Sequence, residues 1–199
     1  PMTRNVIPIA TRTSMEMALR RMGQQMNRES DVLFLYMTSH GLPNQFEMEN
    51  APLDLKQVDP KWLKDTLDKS GIRWRVIVIS ACYSGSFVSE LQDENTLVIT
   101  ASAADRASFG CSSEADYTYF GRAFFDQAMR EQHSMFDAFN QAKETVAKWE
   151  SAQGFEPSEP QWAIGKNMEL MLPQLEQRLF PQVNAVKTTP NVEMPLNIH

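Results

Sequence analysis

Two side chains in this sequence have the types and settings needed for nucleophilic chemistry. Cys82 follows the apolar run Arg75-Val-Ile-Val-Ile-Ser-Ala81, and His40 follows a second such run, Asp31-Val-Leu-Phe-Leu-Tyr-Met-Thr38, across one serine. A thiol with a free pKa of about 8.5 is a weak nucleophile at neutral pH until an imidazole takes its proton or pairs with the thiolate. Glycine or alanine flanks both groups: Gly41 follows the histidine, Ala81 precedes the cysteine and Gly85 lies just beyond it. Such residues let a peptide backbone approach and leave main-chain N–H groups to hold an oxyanion, where one donor contributes about 3–4 kcal/mol. Taken singly, either residue reads equally as a buried small hydrophobe or a hydrogen-bonded structural histidine. The other candidates are bystanders by position. Cys111 falls in the loop after a third apolar run, as a free thiol near the rim or a redox-sensitive neighbour. His133 sits among charges and His199 ends the chain, and both read as solvent-facing.

These groups need a scaffold that brings two strand ends together. Met15, Leu19, Met22 and Met26 recur at helical spacing behind a capping box at Thr13-Ser-Met-Glu16, which predicts a helix of about 16 residues with its methionine stripe in the core. The runs 31–38, 75–81 and 96–100 read as strands covered on both faces, as in parallel sheets. Residues 42–57 carry Pro43, Asn44 and Pro52 and predict a loop with a short hairpin. Asp59 as cap, Pro60 at the first helical position and Gly71 past the end bracket a second helix. Further helices are expected at 119–131, 134–151 and 167–179, with a short strand at 162–164. Strands alternating with helices give one α/β domain with a mostly parallel sheet. In such sheets catalytic groups gather at the carboxyl ends of the strands. The loops at that edge are Ser39–Gly41, Cys82–Ser86 and Ala101–Ser113.

Composition narrows the function classes. The chain has 199 residues, 42% apolar and 22% charged, with a net charge of −6. A nucleic-acid binder needs a surplus of Lys and Arg, which is absent here. No apolar run reaches the roughly 18 residues of a membrane span. Two cysteines and three histidines are too few for a disulfide scaffold and leave little for a zinc site.

Tyr36-Met-Thr-Ser-His40-Gly41 together with Val78-Ile-Ser-Ala-Cys82-Tyr-Ser-Gly-Ser86 resembles the His-Gly and Ala-Cys signature of the caspase-like cysteine peptidases. The similarity is to the legumain family, whose bacterial members, legumains and GPI-anchor transamidases share Cys-x-Ser-Gly-Ser. It extends over roughly residues 31–125, taking in Thr100-Ala-Ser-Ala-Ala-Asp-Arg106 and Tyr117-Thr-Tyr-Phe-Gly121. The resemblance implies a caspase-like three-layer sandwich and a cysteine endopeptidase acting on peptide or protein substrates. It makes His40 the base, Cys82 the nucleophile and the backbone N–H groups of Gly41 and Cys82 the oxyanion hole, and it implies no metal or organic cofactor. A transpeptidase using the same dyad and a catalytically silent scaffold are the alternatives. Ser80, Tyr83, Ser102 and Arg122 fall at expected substrate-binding positions. Legumains carry acidic residues where this chain has Ser80 and Arg122, so Arg122 is expected to favour a carboxylate or other polar acceptor in place of asparagine selection. The family also places two strands and a helix before the His-bearing strand. The expected domain, residues 1–180, thus lacks its first strands and has an open edge along 31–38, covered by an upstream fragment or a second copy. Residues 181–199 are expected to form an extended tail.

Overall fold

Seven consecutive residues, Trp74–Ser80, are buried without exception, and the rest of the fold is arranged around them. The computed structural model describes residues 9–110 and 117–179. In chain order these form α1 (Arg12–Gln25), β1 (Val32–Thr38), β2 (Gly41–Leu42), β3 (Gln45–Phe46), α2 (Pro60–Ser70) and β4 (Trp74–Ser80). A 3-10 turn (Ser84–Phe87) runs into α3 (Val88–Leu91), followed by β5 (Thr96–Thr100). Then come α4 (Tyr119–Gly121), a π turn (Arg122–Ala128), α5 (Met129–Glu131), α6 (Met135–Gln153), β6 (Gln161–Ile164) and α7 (Lys166–Leu179).

The main sheet has the order β1-β4-β5-β6, with β1, β4 and β5 parallel and β6 antiparallel to β5. Successive side chains of a strand point to opposite faces. Val76, Val78, Leu97 and Ile99 therefore meet Phe124, Phe139, Val146 and Met168 on one side. Ile77, Ile79 and Val98 meet Leu19, Leu63, Leu67 and Leu91 on the other. Each such buried aliphatic side chain contributes about 1.5–3 kcal/mol. The result is a mostly parallel sheet between two helical layers, the expected α/β sandwich.

The cap signals held at α2 and failed at α1. Asp59 accepts the Trp62 N–H at 2.8 Å, Pro60 opens α2, and Gly71 closes it at φ 74°. The first helix departs from expectation: Thr11 is its cap, accepting from the Ser14 N–H at 3.0 Å, and Thr13 lies within the helix. Thr11 and Ser14 also bond hydroxyl to hydroxyl at 2.7 Å, an earlier cap that outcompetes the Thr13 box. Within the methionine stripe Leu19 is buried and Met15 and Met26 pack on the core, whereas Met22 is exposed. β1 corrects a second expectation. Leu33 and Met37 are buried, but Phe34 and Tyr36 are 42% and 41% exposed. Among the described residues β1 pairs only with β4, so it is an edge strand whose apolar run covers one face and part of the other. The short helix after Cys82 had no expectation in the sequence, and the π turn lies inside the helix expected at 119–131. The tail at 181–199 lies outside the described residues.

Candidate active site

The parallel register joins Thr38 to Ser80, so β1 and β4 end level at the same sheet edge. Beyond the strands, the Ser39 N–H still donates to the Ser80 carbonyl at 3.4 Å. Continuing that register sets His40 level with Cys82. The next residue, Gly41, confirms how close the two loops run: a Cβ there would lie 2.4 Å from the Cys82 carbonyl oxygen and 3.2 Å from Ala81 Cβ. Only glycine fits without displacing the cysteine loop. His40 is exposed and Cys82 half-buried. Behind the histidine, its carbonyl accepts the Glu47 N–H at 3.0 Å, which fixes the β2–β3 hairpin. Among the described residues no hydrogen bond joins the imidazole to the thiol.

The cysteine sits at a sharp strand-to-helix corner. Tyr83 takes a left-handed conformation, φ 56° and ψ 18°, which costs a non-glycine residue about 1–3 kcal/mol. Three bonds hold it there. Its N–H donates to the Arg106 carbonyl at 2.7 Å, and its carbonyl accepts from the Ser86 N–H at 3.0 Å and hydroxyl at 2.6 Å. Ser86 Oγ also accepts the Asn44 N–H at 2.9 Å, tying the histidine hairpin to the cysteine turn. The Cys82 sulfur donates to the Ser108 carbonyl and accepts the Ser108 N–H, both at 3.2 Å.

The expected substrate residues separate into two groups. Ser80 and Ser102 are wholly buried. Ser80 Oγ lies 2.8 Å from Thr118 Oγ1, which also caps α4 through the Gly121 N–H. The Ser102 hydroxyl accepts the Ser84 N–H and donates to the Ala81 carbonyl, each at 3.1 Å. These two serines brace the loops around Cys82 from beneath and reach no surface. Tyr83 is half-buried at the corner itself, and Arg122 is exposed with its guanidinium 5.7 Å from the Trp149 ring centre. Gly85 also works inward: a Cβ there would lie 2.6 Å from the Ala103 carbonyl carbon and Ala104 nitrogen. Ser108, Thr118 and Asn44 were not foreseen. Ser108 and Thr118 touch the cysteine strand only through long-range folding, so nothing in their local sequence marks them. Cys111 lies outside the described residues, and His133 is exposed.

Among the described residues no group of three His, Cys, Asp or Glu could hold a metal, and no helix is long and apolar enough to cross a membrane. The model of the peptidase C13 family matches residues 16–171. The chain belongs to the peptidase C13 family. That match takes in both strand ends, the cysteine corner and the helices behind them. This C13 chain is 37% identical over 82 residues to legumain from Canavalia ensiformis, a stretch covering 40% of the chain and 17% of that relative. It thus spans about a sixth of the length of the curated relative it matches. In fold it is similar to caspase-1 from Spodoptera frugiperda, with a TM-score of 0.56 and 12% identity over 79% of this chain and 69% of that one. The caspase-like sandwich implied by the sequence motifs is therefore the fold observed.

Proposed function

We propose that this C13 chain is a cysteine endopeptidase in which Cys82 is the nucleophile and His40 its acid–base partner. The observation that supports the reading is the rim geometry: two parallel strands in register end together at Thr38 and Ser80, and the Gly41 backbone lies against the Cys82 carbonyl. His40 takes the thiol proton as sulfur attacks the scissile carbonyl carbon. The C=O electron pair moves to oxygen, and the backbone N–H groups of Gly41 and Cys82 receive that charge. Collapse of the intermediate breaks the C–N bond, His40 protonates the departing amine, and a thioester remains on Cys82. Water, deprotonated by His40, then releases the acid and restores the thiol. The sulfur must first exchange its bond to the Ser108 carbonyl for one to the imidazole. Catalytic hydrogen bonds of this kind commonly tighten only once substrate is bound. Ser80 and Ser102 act in this scheme as positioning residues, and Tyr83 and Arg122 as surfaces for the peptide.

The reading extends to partners. A peptide or protein is the substrate, and a strand from an upstream segment or a second copy covers the open edge of β1, because an unpaired strand edge is a pairing liability. Labelling with a peptide acyl-donor electrophile tests the core of the proposal. Modification is expected on wild type, absent in Cys82→Ala, strongly slowed in His40→Ala and retained in Cys111→Ala. Labelling that survives Cys82→Ala, or disappears with Cys111→Ala, overturns it.

A further inference from the structure

The core face of α6 ends on an acid. Ala138, Ala142 and Val146 recur four residues apart and are buried against the sheet, and the next residue in that series is Glu150. Glu150 is 2% exposed, and one of its carboxylate oxygens accepts the Ser158 N–H at 3.1 Å. Its second oxygen and the Ser158 hydroxyl, also buried, have no hydrogen-bond partner among the described residues, and no cation lies within ion-pair distance of Glu150 among them. A buried carboxylate with one neutral donor is a poor way to stabilise a helix end, because its desolvation outweighs a single hydrogen bond. What it fixes is Ser158.

Ser158 in turn holds the turn behind the nucleophile. Its carbonyl accepts the Ala103 N–H at 2.8 Å, the Ala103 carbonyl accepts the Arg106 N–H at 3.3 Å, and the Arg106 carbonyl accepts the Tyr83 N–H at 2.7 Å. Ser102, next to Ala103, bonds the Ser84 N–H and the Ala81 carbonyl. Both chain neighbours of Cys82 therefore hang on the 102–106 turn. Backbone contact couples the two segments: a Cβ on Gly85 would lie 2.6 Å from Ala103 and Ala104, so the turn cannot shift without moving the cysteine corner. Exposed ties also join the 155–159 segment to this turn, namely the Phe109–Phe155 stack at 4.3 Å and Arg106 near Glu156 and Glu159 at 3.6 and 3.9 Å. Solvent-facing ion pairs of that length contribute little. We infer that Glu150 is a positioning residue for the thiol: its buried carboxylate fixes the 102–106 turn through Ser158, so that Tyr83 keeps its left-handed conformation and Cys82 its aim. This role deepens the thiol-peptidase reading and rests on it, and Glu150 acts only through Ser158.

The test sets aim against stability. The full chain carrying Glu150→Leu, Glu150→Gln or Val146→Ala is compared with wild type at a temperature well below every Tm. Glu150→Leu completes the apolar series of α6 and should fold, with Glu150→Ala in its place if it does not. Electrophile labelling of Cys82 and kcat on a fluorogenic peptide should fall about tenfold in that variant with KM unchanged, the equivalent of one charge-assisted hydrogen bond. Amide exchange at Tyr83 and Ala103 should quicken with it. Glu150→Gln keeps an acceptor for the Ser158 N–H and should stay within about threefold of wild type. Val146→Ala trims the same face one turn earlier, and should lower the Tm yet leave labelling and kcat unchanged. Labelling and kcat within threefold of wild type in Glu150→Leu, or an equal loss in Val146→Ala or Glu150→Gln, overturns the role. If exchange at Tyr83 quickens in Glu150→Leu but wild-type Cys82 does not label, the brace stands and the peptidase reading falls.

Discussion

Replacing Gly41 by alanine puts a number on the contact between the His40 and Cys82 loops. The new Cβ would start 2.4 Å from the Cys82 carbonyl oxygen, whereas ordinary contact begins at 3.4 Å, so the loops must part by about 1 Å. The obstructing atom is backbone and belongs to the residue that carries the thiol, so no side-chain rotation absorbs the strain. A misplacement of this size costs about a hundredfold in rate, or roughly 2.7 kcal/mol of transition-state stabilisation. The fold should pay less. Gly41 lies beyond the end of β1, and overpacking at such a rim costs about 1–3 kcal/mol, a Tm shift of some 2–12 °C for a chain of this size. The assay is kcat/KM on a fluorogenic peptide cleaved by the wild-type chain, beside calorimetric Tm and the rate of electrophile labelling at Cys82. Labelling and kcat/KM should fall together while the chain stays folded. A Gly41→Ala variant within threefold of wild type in both rates would refute the argument that these backbones must touch for the site to work.

Removing the Ser102 hydroxyl leaves the buried Ser84 N–H and Ala81 carbonyl short of a partner, so Ser102→Ala should lose about 1–3 kcal/mol and lower the Tm accordingly in a calorimetric scan. Arg75 is buried and donates to the Ile72 and Leu67 carbonyls at 2.8 and 3.1 Å, closing the end of α2. Arg75→Met should therefore cost about 1–3 kcal/mol by urea unfolding, with the orphaned carbonyls and not the half-exposed Asp68 pair as the main loss. Burial alone would raise the carboxyls of Asp59 and Asp68. The Trp62 N–H and Arg12 at Asp59, and Lys64 and Arg75 at Asp68, outweigh it and hold both below the ordinary value of 3.8. Carboxyls depressed in the folded state contribute stability that is present above about pH 4 and is lost as pH falls through their folded values. The Tm should drop on acidification below pH 4, and Asp59→Asn, which keeps the cap oxygen, should flatten that drop.

Much of this architecture was legible along the chain. Caps report on the nearest three residues, so Asp59, Pro60 and Gly71 bounded α2 correctly, and the run 96–100 is the strand observed. Periodicity separated helix from strand because each buries a different repeat of apolar residues. It could not say how far each face is covered, and so the run 31–38 read as buried on both faces although Phe34 and Tyr36 are exposed. Nor could it foresee the π turn, because the run 119–131 reads as one helix whichever way its turns are wound.

The linear sequence determined the reactive inventory of this protein. One cysteine and one histidine stand past the ends of two apolar runs, each beside small residues, because chemistry follows residue type and the immediate neighbours set backbone room. Tertiary structure alone decided what surrounds them. The pairing of β1 with β4 puts Gly41 against Cys82, the segment after β5 brings Ser108 to the sulfur, and the cap of α4 brings Thr118 to Ser80. It also turned Ser80 and Ser102 inward as braces and left Arg122 over the Trp149 ring. Those assignments depend on which distant segments meet, and that is settled by burying the two faces of one sheet, a property of the whole chain and of no single stretch of it.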